Sequence, residues 1–184
     1  MRIIGGRLKG RQLKGPSSMT VRPTSDRLRE TIFNVLAHAY DAPVDGARVI
    51  DLFAGTGALG LEALSRGATF TLFVDDSSEG RALLRANVEA LGLGGESKIF
   101  RRDATRLGPM PPQQPFTLAF LDPPYEKDLV PRAMASLREG EWLALGALCV
   151  VEESSAVEIA PMAGFTHLET RTYGETQIQF WQKD

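Results

Sequence analysis

Apolar positions follow two alternating rhythms through most of this chain. Short, mostly apolar runs lie at 48–53, 69–74, 98–101, 116–121 and 147–152, the pattern of strands buried on both faces. Between them, apolar residues recur at helical spacing. The segment 57–66 turns Leu59, Ala63 and Leu64 inward and stops at Gly67. A second helix starts from a cap at Ser77 or Ser78 and runs to Leu91, with Gly92 after it, and a third covers 128–138. Strands alternating with helices predict a parallel sheet covered on both faces.

The rhythm changes at both ends. Residues 166–173 and 176–181 flank Gly174-Glu175 and predict an antiparallel hairpin. Near the start, Ile3, Ile4, Leu8 and Leu13 are punctuated by Gly5-Gly6 and Gly10, which predicts a small hairpin. A turn or linker at 15–18 follows. Then Arg22-Pro23-Thr24-Ser25-Asp26 opens a helix whose core face is Leu28, Ile32, Val35, Leu36 and Ala39. The expected organisation is a basic arm over residues 1–20 and a single domain over 21–184.

Composition narrows the class. A chain of 184 residues with 43% hydrophobic and 24% charged residues can bury one sizeable core and is not a disordered type. It holds no apolar run of membrane-spanning length and shows no signal peptide, so a cytoplasmic protein is expected. Cys149 cannot pair within the chain and sits in an apolar run, which predicts a buried thiol. With only His38 and His167 beside it, no structural metal is expected. A monomer is the default. Charge is uneven, however. Residues 1–30 carry eight Lys/Arg against Asp26 and Glu30, and the rest carries 13 basic and 21 acidic residues. A basic arm on an acidic body points to a polyanion partner, nucleic acid first.

Two loops carry candidate chemistry. Asp51-Leu52-Phe53-Ala54-Gly55-Thr56-Gly57-Ala58-Leu59-Gly60 joins the first strand to its helix, with glycines that let a ligand approach backbone closely. An acid about 20 residues on, at Asp75, suits ribose hydroxyls in either a nicotinamide or an adenosyl site. Asp51 separates the two, because a carboxylate there repels a pyrophosphate and suits an ammonium or sulfonium. The second loop is Asp122-Pro123-Pro124-Tyr125, after the fourth strand. Two prolines cannot continue a ladder, so they make a stiff loop holding a carboxylate and a ring three positions apart. That pair suits a flat molecule bearing an amino group; the plain alternative is an ordinary strand exit. In an open sheet with strands 1 and 4 adjacent, both loops border one crevice.

With these motifs in place, a family resemblance is plain. Asp51-x-Phe53-x-Gly55-x-Gly57 resembles the cofactor motif of class I methyltransferases. Asp122-Pro123-Pro124-Tyr125 resembles the (Asp/Asn)-Pro-Pro-(Tyr/Phe) motif of those that methylate exocyclic amines. The stretches Arg2-Ile3-Ile4-Gly5-Gly6, Arg22 to Asn34 and Tyr173-Gly174-Glu175-Thr176 resemble the RsmD family, bacterial 16S ribosomal RNA guanine-N2 methyltransferases acting on the guanine counted as 966. The resemblance spans nearly the whole chain and implies a Rossmann-like α/β fold with a mostly parallel seven-stranded sheet. It implies S-adenosylmethionine as cofactor, held by Asp51, Phe53, Gly55 and Gly57, with Asp75 on the ribose and Asp103 and the Ala104 amide on adenine. It implies that Asp122 and the Pro123 carbonyl accept the target amine's N–H bonds and that Tyr125 stacks on a flipped base. The partner is then 16S rRNA or the small subunit, with Arg2, Arg7, Lys9, Arg11, Lys14, Arg22, Arg27 and Arg29 on phosphate. The competing classes are an N6-adenine DNA or RNA methyltransferase, a non-catalytic RNA-binding assembly factor and a nicotinamide oxidoreductase.

Overall fold

The computed structural model describes residues 1–17 and 24–184. Its elements run α1 (Asp26–Ala39), β1 (Arg48–Leu52), α2 (Ala58–Ser65), β2 (Phe70–Val74), α3 (Ser78–Leu91), β3 (Ser97–Phe100), β4 (Phe116–Leu121), α4 (Leu129–Glu139), β5 (Leu143–Ser154), β6 (Phe165–Tyr173) and β7 (Thr176–Lys183). One seven-stranded sheet has the order β3-β2-β1-β4-β5-β7-β6. β1 to β5 pair in parallel, while β7 runs antiparallel between β5 and β6.

Burial on both faces explains the mostly apolar runs. Val49, Phe73, Leu118, Phe120 and Val150 face a core closed by α1, α2 and α3. Ile50, Leu52, Leu72, Ala119, Leu121 and Val151 alternate with them and face a second core under α4 and Trp142. Cys149 lies in this second core, and burial pushes its thiol up to about 12. Among the described residues no helix is long and apolar enough to cross a membrane. No group of three His, Cys, Asp or Glu among them could hold a metal ion.

Local chemistry sets the element ends. Ser25 caps α1 by accepting from the Leu28 amide at 3.1 Å, and Ser77 caps α3 by accepting from Gly80 at 2.9 Å. β5 starts four residues earlier than the apolar run predicts. A register shift between Phe116 and Leu118 and the left-handed Gly146 absorb the extra residues and leave Leu145 in solvent. The buried face of α1 also differs from the predicted one: Arg29 and Phe33 are buried, and Ala39 is exposed.

The first residues fold back as predicted. Arg2 bridges antiparallel to Gln12, the Ile3 amide donates to the Arg11 carbonyl, and the Ile3 carbonyl accepts from the Gly10 amide across the turn. This hairpin is docked. Ile3 and Leu13 enter the first core, and the Ile4 and Gly5 amides donate to Glu62 of α2, both at 2.9 Å. Gly6 is needed for this approach. Its φ is +79°, and a Cβ there would lie 1.9 Å from the Ser65 carbonyl. At its far end, Lys14 donates its amide to Asn87, whose own amide donates to the Thr56 carbonyl in the glycine loop. The hairpin is thus tied through one buried side chain to the loop after β1.

Candidate active site

The strand order reverses at β1, so its carboxyl end and that of β4 border one crevice. Leu52 pairs with both Val74 and Leu121, and Leu121 pairs with Val151. The ends of β1, β2 and β4 therefore lie at one level, beside Val151 of β5, which continues to Ser154. Asp75 and Asp122 directly follow their strands and form a row of carboxylates with Asp51, still within β1, and Glu152, still within β5. This is the position where open α/β sheets bind ligands.

The glycine loop has the conformation a close-fitting ligand needs. Phe53, Gly55 and Gly57 all have positive φ (57°, 55° and 82°). Phe53 is the non-glycine among them and holds a costly backbone state at the crevice. Gly57 and Gly60 serve packing as well. A Cβ on Gly57 would lie 2.3 Å from Leu84, and one on Gly60 2.4 Å from Phe73. Asp51 is almost fully buried. Its Oδ2 accepts from the Gly60 amide at 3.0 Å, and among the described residues no basic group forms an ion pair with it. Burial, and then the charge of Asp75, push its carboxyl up to about 8, although the Gly60 bond pulls the other way. A cation beside Asp51 would relieve that cost.

Asp75 is braced by backbone. Its Oδ2 accepts from Gly55 and its Oδ1 from Ser77, each at 2.8 Å. The remaining lone pairs can still accept from hydroxyls. Asp103 is exposed beyond β3, where its Oδ1 accepts from the Thr105 amide at 2.8 Å and hydroxyl at 2.7 Å. Those bonds hold its carboxyl below the usual range. Ala104 is buried beside it.

At Asp122-Pro123-Pro124-Tyr125 the structure adds partners that the motif does not show. The Thr24 hydroxyl lies 2.7 Å from Asp122 Oδ2 and 3.1 Å from Glu152 Oε2. Glu152, 7% exposed, accepts from the Tyr125 hydroxyl through Oε1 at 2.6 Å, and that hydroxyl is 3.0 Å from Thr176. Burial raises the Asp122 carboxyl well above its ordinary value, and the neighbouring Glu152 charge raises it further. Burial and the Glu152 bond likewise raise the Tyr125 phenol, so it stays a donor. A cavity of about 420 Å³ opens beside this network, lined by Thr24, Arg27, Glu152, Tyr173 and Thr176 among others.

The basic candidates divide. Arg2, Arg7, Lys9, Arg11 and Lys14 are all exposed on the hairpin, and Arg27 is exposed at the cavity. Arg7 pairs with Glu96 at 2.7 Å, and Arg11 donates to the Ala90 carbonyl at 2.7 Å. Arg22 lies outside the described residues. Arg29 is a correction. It is fully buried, where its guanidinium pairs with Glu62 at 3.2 Å and Asp26 at 2.9 Å and donates to the Arg2 carbonyl. It binds the hairpin and α1 to α2 and cannot reach a phosphate. Thr24, Glu152 and Thr176 are the residues that motif reading passed over. Glu152 had a visible signal, a carboxylate closing an otherwise apolar strand.

This sheet order, with a glycine loop after the first strand and an acid after the second, is the Rossmann-like fold of class I methyltransferases. The family described as conserved hypothetical protein 95 matches residues 1–182, and the chain belongs to it, an RsmD-like family. It is 35% identical over 187 residues to ribosomal RNA small subunit methyltransferase D of Escherichia coli strain K12, covering 100% of this chain and 90% of that protein. The protein of the same name from Haemophilus influenzae is 33% identical over 184 residues, covering 99% and 93%. The solved yhhF protein of Escherichia coli superposes with a TM-score of 0.82 at 32% identity, over 100% of this chain and 98% of that one.

Proposed function

We propose that the protein transfers a methyl group from S-adenosylmethionine to the exocyclic N2 of a guanine in 16S ribosomal RNA. The observation that carries this reading is the facing of two unlike sites across the β1/β4 crevice. One is a buried Asp51, with no cationic partner among the described residues, under a glycine loop; the other is a stiff carboxylate-and-ring loop suited to an amine. The relatives' names support the RNA class.

The residues present fit the cofactor. Asp51 suits its positive end, the backbone of Gly55 and Gly57 admits close approach, Phe53 borders the loop, Asp75 suits the ribose, and Asp103 with the Ala104 amide suits adenine. When bound, S-adenosylmethionine supplies an electrophilic methyl on a sulfonium. The chain's own residues deal with the nucleophile. Guanine's amine is weak because its lone pair is delocalised into the ring. Asp122 and the Pro123 carbonyl accept its two N–H bonds, turn the lone pair towards the Asp51 loop and stabilise charge growing on nitrogen. Tyr125, tethered at its hydroxyl, is a fixed ring on which a flipped base stacks. Radiolabelled methyl transfer tests the reading. Label is expected in purified small-subunit RNA, with duplex DNA unlabelled; label in the DNA alone would reject it.

In this reading the hairpin and Arg27 contact phosphate. Lys9 and Lys14 are exposed on the hairpin. Replacing both with Gln should weaken RNA binding and reduce the slope of log affinity against log salt by about 1.4 to 1.8. Cofactor affinity should not change. A titration series in which the salt slope equals that of the unaltered protein removes these lysines from the interface.

A further inference from the structure

We propose that Glu152 selects guanine, its carboxylate accepting the ring N1–H of a base whose amine is held at Asp122. This rests on the amine-methylating reading above and identifies the base by its chemistry.

The placement comes from strand register. Leu121 of β4 pairs with Val151 of β5, so Asp122 and Glu152 emerge side by side. The Thr24 hydroxyl, within 2.7 Å of one carboxyl and 3.1 Å of the other, shows how near they are. Two carboxyls packed together out of water oppose folding, because each disfavours the other's charge. The fold nevertheless equips Glu152 with two hydroxyl neighbours, Tyr125 on Oε1 and Thr24 on Oε2. Tyr125 donates to it, and the single Thr24 proton can go to Glu152 or to Asp122. Its Oε1 can accept a further bond beside that from Tyr125. Glu152 also lines the 420 Å³ cavity, with Thr24, Arg27, Tyr173 and Thr176 around it. It therefore belongs both to the Asp122 network and to a space where a ligand fits.

The edges of the bases decide what such a pair accepts. In adenine the amine is flanked by N1 and N7 positions that only accept. In cytosine the neighbours are an accepting N3 and a carbon. Guanine alone carries an N–H donor, N1–H, next to its amine. A second carboxylate acceptor beside the amine-binding one repels the flanking acceptors of adenine and cytosine and bonds the guanine edge. The specificity that the Asp-Pro-Pro-Tyr loop lacks is supplied by the next strand.

The test uses a fragment of small-subunit RNA carrying either guanine or 2-aminopurine at the methylated position. 2-Aminopurine keeps the 2-amino group and replaces N1–H with an acceptor. The unaltered protein should prefer guanine by about a hundredfold in kcat/KM. Glu152→Gln, which can donate as well as accept at that position, should bring the two substrates within about tenfold of each other. Unchanged S-adenosylmethionine affinity shows that the variant is folded. If it turns over neither RNA, the two dissociation constants are compared instead, and equal values support the inference. A residue that merely orients Tyr125 would lower both substrates alike, so an undiminished guanine preference in Glu152→Gln, by rate or by binding, overturns it. An unaltered protein that methylates no guanine overturns the methylation reading itself.

Discussion

Asp122→Ala should lower methyl transfer by about a thousandfold and leave cofactor affinity within a few-fold. In the proposed reading the carboxyl is the acceptor that orients the target amine, whereas the residues proposed to hold the cofactor lie on the β1, β2 and β3 side of the crevice. The variant also relieves the crowding with Glu152, so it should be no less stable than the parent. pH adds a second check. Burial and the Glu152 charge raise the Asp122 carboxyl, so the free protein retains that proton above the ordinary carboxylate range. The ionised form is the stronger acceptor and presents no proton of its own to the amine, so kcat/KM should rise with pH. Asp122→Asn keeps one accepting oxygen and removes the titration; it should be slower and should lose the rise that Asp122 contributes. Transfer by Asp122→Ala within about tenfold of the parent would place the chemistry elsewhere.

Asp51→Asn should weaken S-adenosylmethionine binding by about a hundredfold, the effect expected for removing one partner of a desolvated charge pair. It should also abolish the pH dependence of binding that Asp51 causes. In the free protein this carboxyl is held up to about 8 by burial and by Asp75. A cationic ligand prefers the ionised form, so affinity should climb as pH rises towards 8 and then level off, with proton release on binding below that point. Stability takes the opposite sign. The folded chain holds a proton that the unfolded chain, with an ordinary value of 3.8, has already released. The group's contribution is fully present below about 4 and is lost as pH rises to about 8. Added cofactor should therefore raise the melting temperature more at the alkaline end. Calorimetry in buffers of different ionisation enthalpy measures the protons released. An affinity independent of pH across that window would show that Asp51 does not face the cofactor's charge.

What could be read from the chain depended on how local the cause was. Asp51, Gly57 and Pro123 act through their own backbone and immediate neighbours, so the two loops were visible as motifs. The parallel sheet was visible because burial on both faces leaves a mostly apolar run, as in β4. Glu152 was not visible as a partner of Asp122, because its place depends on the β4–β5 register, and Thr24 reaches Asp122 across 98 positions. Arg29 was misplaced by charge counting. Its spacing from Ile32, Phe33 and Leu36 put it on the buried face of α1, but the compensating Glu62 sits in a helix whose residues are all buried. A buried arginine is tenable only with such a partner, and that partner lies 33 positions away.

The central claim is that the crevice between β1 and β4 joins a sulfonium cofactor to a guanine amine. Its most direct test is to react the protein with undermethylated small subunits and S-adenosylmethionine, digest the RNA and identify the modified nucleoside by mass spectrometry. The account predicts N2-methylguanosine in 16S ribosomal RNA, lost with Asp122→Ala. N6-methyladenosine, or no methylated nucleoside from a protein that binds both cofactor and RNA, would contradict it.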